Sequence, residues 1–200
     1  MGKDLMTSVS GIRGIVGDSL TPEVIVKYVS VFGQKCAGQK VVVGGDSRIS
    51  FSAVHSLVTG TLLIAGCSVI DIGVAATPTV EIAIKTLGAA GGIAITASHN
   101  PVQWNGLKFM GADGMFMPER EVFQLYQEAE KKKRIYMPWD KLGVVEKYDR
   151  AVDDHLGLIL KLPYVDIEKI KKKNFKVAVD CVNGAGTTIV PKLLQSLGCE

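Results

Sequence analysis

The residues best suited to chemistry lie in one short stretch, 96–108. Ser98 offers a hydroxyl group, His99 an imidazole, Asn100 an amide and Lys108 an amine. The stretch follows an apolar run, 92–96, that predicts a buried strand. Because open α/β sheets bind ligands beyond the carboxyl ends of their strands, this stretch is the candidate active site.

Three interpretations of these side chains compete. They could be loop residues that satisfy backbone groups. A serine hydrolase is the second interpretation, but adjacent side chains on an extended segment diverge, which places His99 badly as a base for Ser98. The G-x-S-x-G pattern of many hydrolases is also absent. The third interpretation is phosphoryl transfer.

Apolar runs and turn residues alternate through the first two thirds of the chain. Strands are predicted at 40–44, 68–73, 92–96 and 107–110, and helices at 21–36, 50–66, 78–87 and 118–133. Alternating strands and helices favour βαβ units, and uninterrupted apolar strands favour a sheet that is covered on both faces. The sequence therefore predicts a three-layer α/β/α domain with a mixed, mostly parallel sheet.

Periodicity breaks after residue 134, where Pro138, Trp139 and Gly143 interrupt the pattern. We interpret 1–134 as the first domain, 135–148 as a linker and 149–200 as the incomplete start of a second, similar domain. This second unit is predicted to have a helix at 149–162, a buried strand at 176–180 and a glycine turn at 183–186 that leads into a helix ending near 197.

The composition argues against several classes of protein. A net charge of +3, from 23 basic and 20 acidic residues, is too small to indicate nucleic-acid binding. No apolar window is long enough to predict a membrane span, and the first residues lack the apolar stretch of a signal peptide. The four cysteines form no C-x-x-C pair. We therefore expect a cytoplasmic protein with reduced thiols.

The stretch Thr96-Ala97-Ser98-His99-Asn100-Pro101 closely resembles the phosphoserine signature of the α-D-phosphohexomutases, the family of phosphomannomutases, phosphoglucomutases and phosphoglucosamine mutases. Further motifs match this family in order and spacing: Ser10-Gly11-Ile12-Arg13-Gly14, Gly44-Gly45-Asp46-Ser47-Arg48, Ala76-Thr77-Pro78-Thr79, Asn105-Gly106-Leu107-Lys108 and residues 179–186. The resemblance covers essentially the whole chain.

The resemblance implies that Ser98 donates a phosphoryl group to a hexose or hexosamine monophosphate. A bisphosphorylated sugar forms, and the net result moves phosphate between C1 and C6. Arg13 and Lys108 match basic active-site residues of the family: Arg13 would bind phosphate, and Lys108 would exchange a proton or act as a fixed positive charge. His99 would take part in catalysis by contacting substrate or orienting the loop, and Asn100 would hold the loop or a phosphate oxygen of the substrate. Asp46 and Arg48 would form a structural pair at the edge of the site.

The resemblance also implies Mg²⁺, bound through the phosphate on Ser98 and through ligands outside this chain, and an activator like glucose 1,6-bisphosphate. The family's D-G-D-x-D metal loop does not occur in the sequence. We therefore expect an N-terminal portion of the enzyme that is inactive alone. The expected partners are the remaining domains of its full-length chain or a second copy in a homodimer. The alternative is a non-catalytic module that binds a sugar phosphate or a partner protein.

Overall fold

A mixed seven-stranded sheet forms the centre of the fold. The structure, a computed structural model, describes residues 5–131 and 136–200. The strands of these residues are β1 (Met6–Ser8), β2 (Gly11–Ile15), β3 (Lys40–Gly45), β4 (Ser68–Val74), β5 (Gly91–Ile95), β6 (Trp104–Gly111) and β7 (Val145–Lys147). Their order across the sheet is β1-β2-β6-β5-β3-β4-β7.

One half of the sheet is parallel and the other half is antiparallel. Strands β5, β3, β4 and β7 run parallel to one another, and β1, β2, β6 and β5 pair in antiparallel fashion. The connection between β5 and β6 is too short for a helical crossover, so β6 returns antiparallel to β5. The predicted mixed α/β fold is confirmed, with a larger antiparallel part than a mostly parallel sheet implies.

Helices cover both faces of the sheet. They are α1 (Pro22–Lys35), α2 (Phe51–Ile64), α3 (Thr77–Thr86), α4 (Glu119–Glu130), α5 (Ala151–Leu160), α6 (Ile167–Lys171) and α7 (Gly186–Ser196). One core cluster joins α1, α2 and α4 to the sheet, and a second joins α3 and Ala151 of α5 to the opposite face. Alternate residues of β3 supply the two clusters, because successive strand side chains point to opposite faces.

The helix starts follow from local sequence. Thr21 caps α1 by accepting a hydrogen bond from the Val24 amide at 3.4 Å, and Pro22 occupies the first helical position. The Asp166 side chain caps α6 in the same way, accepting from the Lys169 amide. The predicted end of α4 near 133 lies outside the described residues. No helix in the described ranges is long and apolar enough to cross a membrane.

The predicted buried strand at 176–180 is wrong, because these residues are exposed and form no regular strand. A strand becomes buried only when neighbours cover it. Two backbone hydrogen bonds join this part of the chain to Glu200. The Val177 amide donates to the Glu200 carbonyl at 2.7 Å, and the Glu200 amide donates to the Phe175 carbonyl at 2.9 Å.

The segment 135–148 differs from the expected linker because it contributes a strand to the sheet. Val145–Lys147 forms β7, which pairs in parallel with β4. A short 3₁₀ helix, Trp139–Lys141, precedes it. A three-residue strand is too short to produce a recognisable alternation of apolar and polar residues, which is why the sequence did not predict it. The domain boundaries themselves stay predictions.

Replacement of Phe109 tests the packing beneath the site. Phe109 on β6 is 1% exposed, and its ring centroid lies 5.3 Å from that of Phe32. We expect Phe109→Ala to lower the free energy of unfolding by about 3–5 kcal/mol, because a cavity replaces the ring. Urea denaturation measures this change.

Phe123→Ala is the matched control, because this phenylalanine is 45% exposed on α4. Its expected cost is about 1 kcal/mol. Equal losses of stability in the two variants would contradict the burial of Phe109.

Candidate functional site

Ser98 lies just beyond the carboxyl end of β5 in an unusual backbone conformation. Its φ of 57° falls in the left-handed region, which few residues other than glycine adopt. The Ser98 amide donates to Thr96 Oγ1 at 3.1 Å, and its carbonyl accepts from Arg48 Nη2 at 2.9 Å. Hydrogen bonds therefore hold Ser98 on both sides of its Cα.

Arg48 binds the whole loop between β5 and β6. Its side chain is 11% exposed, and its two terminal nitrogens donate to four carbonyl oxygens of the loop. These oxygens belong to Ser98 (2.9 Å), Asn100 (2.9 Å), Pro101 (2.8 Å) and Trp104 (3.0 Å). The remaining donor, Nε, binds Asp46 Oδ2 at 3.2 Å. All five donors of the guanidinium group are thus used.

The Asp46 carboxylate links these contacts into one network. Its Oδ2 accepts from Arg48 Nε and from Thr96 Oγ1, the latter at 3.3 Å, while its Oδ1 accepts from the Ser47 amide at 2.8 Å. The predicted pairing of Asp46 with Arg48 is confirmed. The sequence did not reveal that the pair holds the Ser98 loop, because the loop lies about 50 residues further along the chain.

Arg13 approaches the same loop from the neighbouring strand β2. Its Nη1 donates to Asn100 Oδ1 at 3.3 Å, and its Nη2 donates to Ser10 Oγ at 3.3 Å. Arg13 pairs in register with Gly106 of β6. A Cβ at Gly106 would lie 2.9 Å from Arg13 Cγ and 2.5 Å from the Ile12 carbonyl oxygen, so only glycine allows this close approach.

His99 lies closer to Ser98 than the sequence indicated. Its Nδ1 is 3.4 Å from Ser98 Oγ, whereas the sequence argument expected the side chains to diverge. That argument assumed an extended backbone, and the left-handed Ser98 brings the two side chains together. Among the described residues no carboxylate forms a salt bridge with His99 to orient its ring, so the serine hydrolase arrangement remains incomplete.

Lys108 lies on β6. Its side chain is on the same face of the sheet as Met110, which belongs to the core cluster that includes α3. Its side chain is half-buried, and burial lowers the pKa of its ammonium group. The positive charge of Arg13 lowers this pKa further, while the negative charge of Glu81 opposes the shift. A lysine with a lowered pKa exchanges protons more readily near neutral pH.

A cleft of about 460 Å³ opens beside Ser98. One wall carries Asp46, Arg48 and Asn100, and the other carries Asn183 and the residues beside it in the glycine turn before α7. The Ser47 hydroxyl donates to the Asn183 carbonyl across the cleft. The second unit thus contributes to the wall of the site, which the sequence analysis did not anticipate.

The described residues do not by themselves fit a magnesium site. They contain no group of three or more His, Cys, Asp or Glu side chains that could hold a metal ion. Asp46 lines the cleft, but its carboxylate is already bound to Arg48, Thr96 and the Ser47 amide. Magnesium coordination would require ligands in addition to a phosphorylated Ser98.

Comparison with known proteins identifies the class to which this α/β domain belongs. Residues 5–135 match the family model described as phosphoglucomutase/phosphomannomutase, alpha/beta/alpha domain I, and residues 153–200 match domain II of the same family. The chain belongs to the phosphoglucomutase/phosphomannomutase family. The resemblance to α-D-phosphohexomutases, as an N-terminal portion, is confirmed.

Individual relatives agree with this assignment. A protein of Methanopyrus kandleri named "Probable phosphoglucosamine mutase" is 39% identical over 203 residues, covering 100% of this chain and 42% of that protein. A phosphoglucosamine/phosphogalactosamine mutase of Sulfurisphaera tokodaii is 37% identical over 202 residues, covering 100% of this chain and 44% of its own length.

A solved structure gives the same result. The crystal structure of a phosphoglucomutase/phosphomannomutase family protein from Burkholderia thailandensis has a TM-score of 0.73 and 26% identity, covering 98% of this chain and 43% of that one. The chain thus spans less than half the length of these relatives.

Replacement of Arg48 tests the network around the Ser98 loop. Arg48→Lys keeps the positive charge but cannot donate to four carbonyl oxygens and a carboxylate at once. We expect the free energy of unfolding to fall by about 2–4 kcal/mol, since hydrogen bonds to charged groups contribute about 1.5–3 kcal/mol each. We also expect faster hydrogen exchange at the Asn100 amide, which binds the Ala97 carbonyl within the loop.

Arg150→Lys is the matched control, because Arg150 is exposed and pairs only with Asp154 in the described part of the chain. It should leave both measurements nearly unchanged. Unaltered exchange at Asn100 in Arg48→Lys would show that Arg48 does not hold the loop.

Proposed function

We propose that this chain is the N-terminal part of a phosphohexomutase, with Ser98 as the phosphate carrier. The observation that carries the proposal is the rigid presentation of Ser98 at the end of β5, with Arg13, His99 and Asn100 joined to its loop. The hydroxyl borders an open cleft rather than the core, so a sugar phosphate has access to it.

The proposed reaction exchanges phosphorus–oxygen bonds. A sugar hydroxyl attacks the phosphorus of phosphoserine 98, a new bond forms between phosphorus and the sugar oxygen, and the bond to Ser98 Oγ breaks. The sugar hydroxyl loses its proton, and Lys108 in its neutral form accepts it; the lowered pKa of Lys108 supports this role. The reverse exchange with the second phosphate of the bisphosphorylated sugar restores phosphoserine.

Of the two arginines near the Ser98 loop, Arg13 is the one that could offset the charge of the phosphate. Phosphoserine carries roughly −1.5 to −2 charges at neutral pH. The Arg13 guanidinium lies within hydrogen-bonding distance of the loop and matches phosphate geometry. Arg48 is an unsuitable phosphate ligand, because its donors already bind loop carbonyls and Asp46. Mg²⁺ would supply further positive charge at the phosphate on Ser98, but the described residues hold no cluster of side chains that would complete its coordination, and no step here depends on it.

The substrate is proposed as a hexosamine or hexose monophosphate. The names of the relatives support this class: they specify glucosamine and galactosamine phosphates in some cases and glucose or mannose in others. A sugar bisphosphate is the proposed activator, since it would donate the first phosphate to Ser98. The four cysteines are free, which supports placement in the cytoplasm.

Phosphate uptake by Ser98 tests the proposal directly. Freshly purified chain is analysed by intact-protein mass spectrometry before and after incubation with a hexose 1,6-bisphosphate and Mg²⁺, with and without the remaining domains of a relative. We expect an added mass of about 80 Da that maps to Ser98. Ser98→Ala should abolish it.

Ser56→Ala is the control for general serine modification, because Ser56 lies on α2 and binds the Ser52 carbonyl. It should leave the added mass intact. If Ser98 stays unmodified in every condition, including the mixture with the remaining domains, the mutase proposal fails and a non-catalytic binding module replaces it.

A further inference from the structure

The surroundings of Lys108 include two residues that no family motif covers. Lys108 pairs in register with Ala94 of β5, and its ammonium group extends along the face of the sheet that α3 covers. Phe116 lies against this ammonium group, with 5.2 Å between Nζ and the ring centroid. Glu81 on α3 is the acidic residue whose charge acts on it.

The turn after β6 is built directly onto Glu81. Gly114 has a φ of 77°, and a Cβ at this position would lie 2.3 Å from the Glu81 carbonyl oxygen. The turn is closed by a hydrogen bond from the Gly114 amide to the Gly111 carbonyl at 3.0 Å. Only glycine fits between the turn and α3, so the backbone of Glu81 and the path of the chain towards Phe116 are fixed relative to each other.

The bridge between Met110 and Phe116 then returns the chain alongside β6. As a result, the Phe116 ring lies over the Lys108 side chain. A ring in this position attracts an ammonium group through its negative face and limits the rotamers that the lysine can adopt.

Glu81 carries a half-buried carboxylate whose pKa is raised by burial, while the Lys108 charge opposes that rise. Within the described ranges, neither Glu81 nor Lys108 forms a salt bridge with another side chain. The charged groups that act on Lys108 are Arg13 from β2 and Glu81 from α3. Asp113 in the turn points its carboxylate at the Met115 amide, at 3.0 Å.

We propose that Glu81 and Phe116 are positioning residues for Lys108: the Phe116 ring confines its ammonium group, and Glu81, held against the turn at Gly114, balances the charge of Arg13. The assignment of a catalytic purpose to this arrangement rests on the proposed function. The arrangement itself does not, because the protonation of Lys108 can be measured without any reaction at Ser98.

The two residues should affect Lys108 in different ways. Glu81→Gln removes the charge that favours protonated Lys108, so the pKa of Lys108 should fall and its neutral form should be more abundant at neutral pH. Phe116→Leu opens access to the amine, so its main effect should be on the maximal reactivity of Lys108. It should also lower the pKa slightly, because the cation–π contact is lost.

Competitive acetylation with acetic anhydride across a range of pH, followed by peptide mapping, measures both quantities for each lysine. The midpoint of the reactivity profile reports the pKa, and the plateau reports accessibility. For Glu81→Gln we expect a lower midpoint with an unchanged plateau, and about threefold faster labelling of Lys108 near neutral pH. For Phe116→Leu we expect a higher plateau with a smaller change in midpoint.

Lys27 on α1, which pairs with Glu130, is the internal reference in the same samples and should keep its own profile. The variant Glu168→Gln on α6 is the second control and should leave the profile of Lys108 unchanged. An unchanged Lys108 midpoint in folded Glu81→Gln would overturn the role of Glu81. An unchanged plateau in folded Phe116→Leu would overturn that of Phe116. Phosphate uptake at Ser98 is measured separately, so failure of this inference and failure of the mutase proposal remain distinguishable.

Discussion

The Asp46 carboxylate is the group on which the presentation of Ser98 depends. It binds Arg48, which holds the carbonyl of Ser98, and Thr96, which accepts the hydrogen bond of the Ser98 amide. A non-glycine residue in the left-handed region is unfavourable and persists only when its surroundings hold it there. The network supplies that restraint, and it holds Ser98 where the residue lines the cleft beyond the end of β5.

The fold brings the parts of this network together through the central parallel strands. Asp46 and Thr96 directly follow β3 and β5, which are adjacent and parallel, so their side chains meet at one edge of the sheet. The antiparallel return of β6 then carries Lys108 back along β5 and places β2, with Arg13, beside it. Arg13 on β2 therefore lies beside the loop of Ser98, although the two residues are 85 positions apart in sequence.

The sequence was sufficient for those parts of the fold in which apolar periodicity and turn residues agree. The three strands of the parallel core and the helices between them follow from continuous apolar runs, caps and prolines. Prediction from the sequence failed at 176–180, where an apolar run lacks the neighbours that would bury it, and at Val145–Lys147, a three-residue strand that pairs with the edge of β4. Secondary structure of this kind depends on partners rather than on local preference.

The candidate site was predictable in its residue types but not in its geometry. The motif around Ser98 pointed to the loop that the network holds, yet the contact between Ser98 and His99 depends on a backbone conformation that the sequence does not show. The most direct test of this account is the backbone conformation of Ser98 in Asp46→Asn, measured by NMR coupling constants and compared with Asp153→Asn as control. The account predicts that Ser98 loses its fixed left-handed conformation only in Asp46→Asn. A left-handed Ser98 that persists in that folded variant would contradict it.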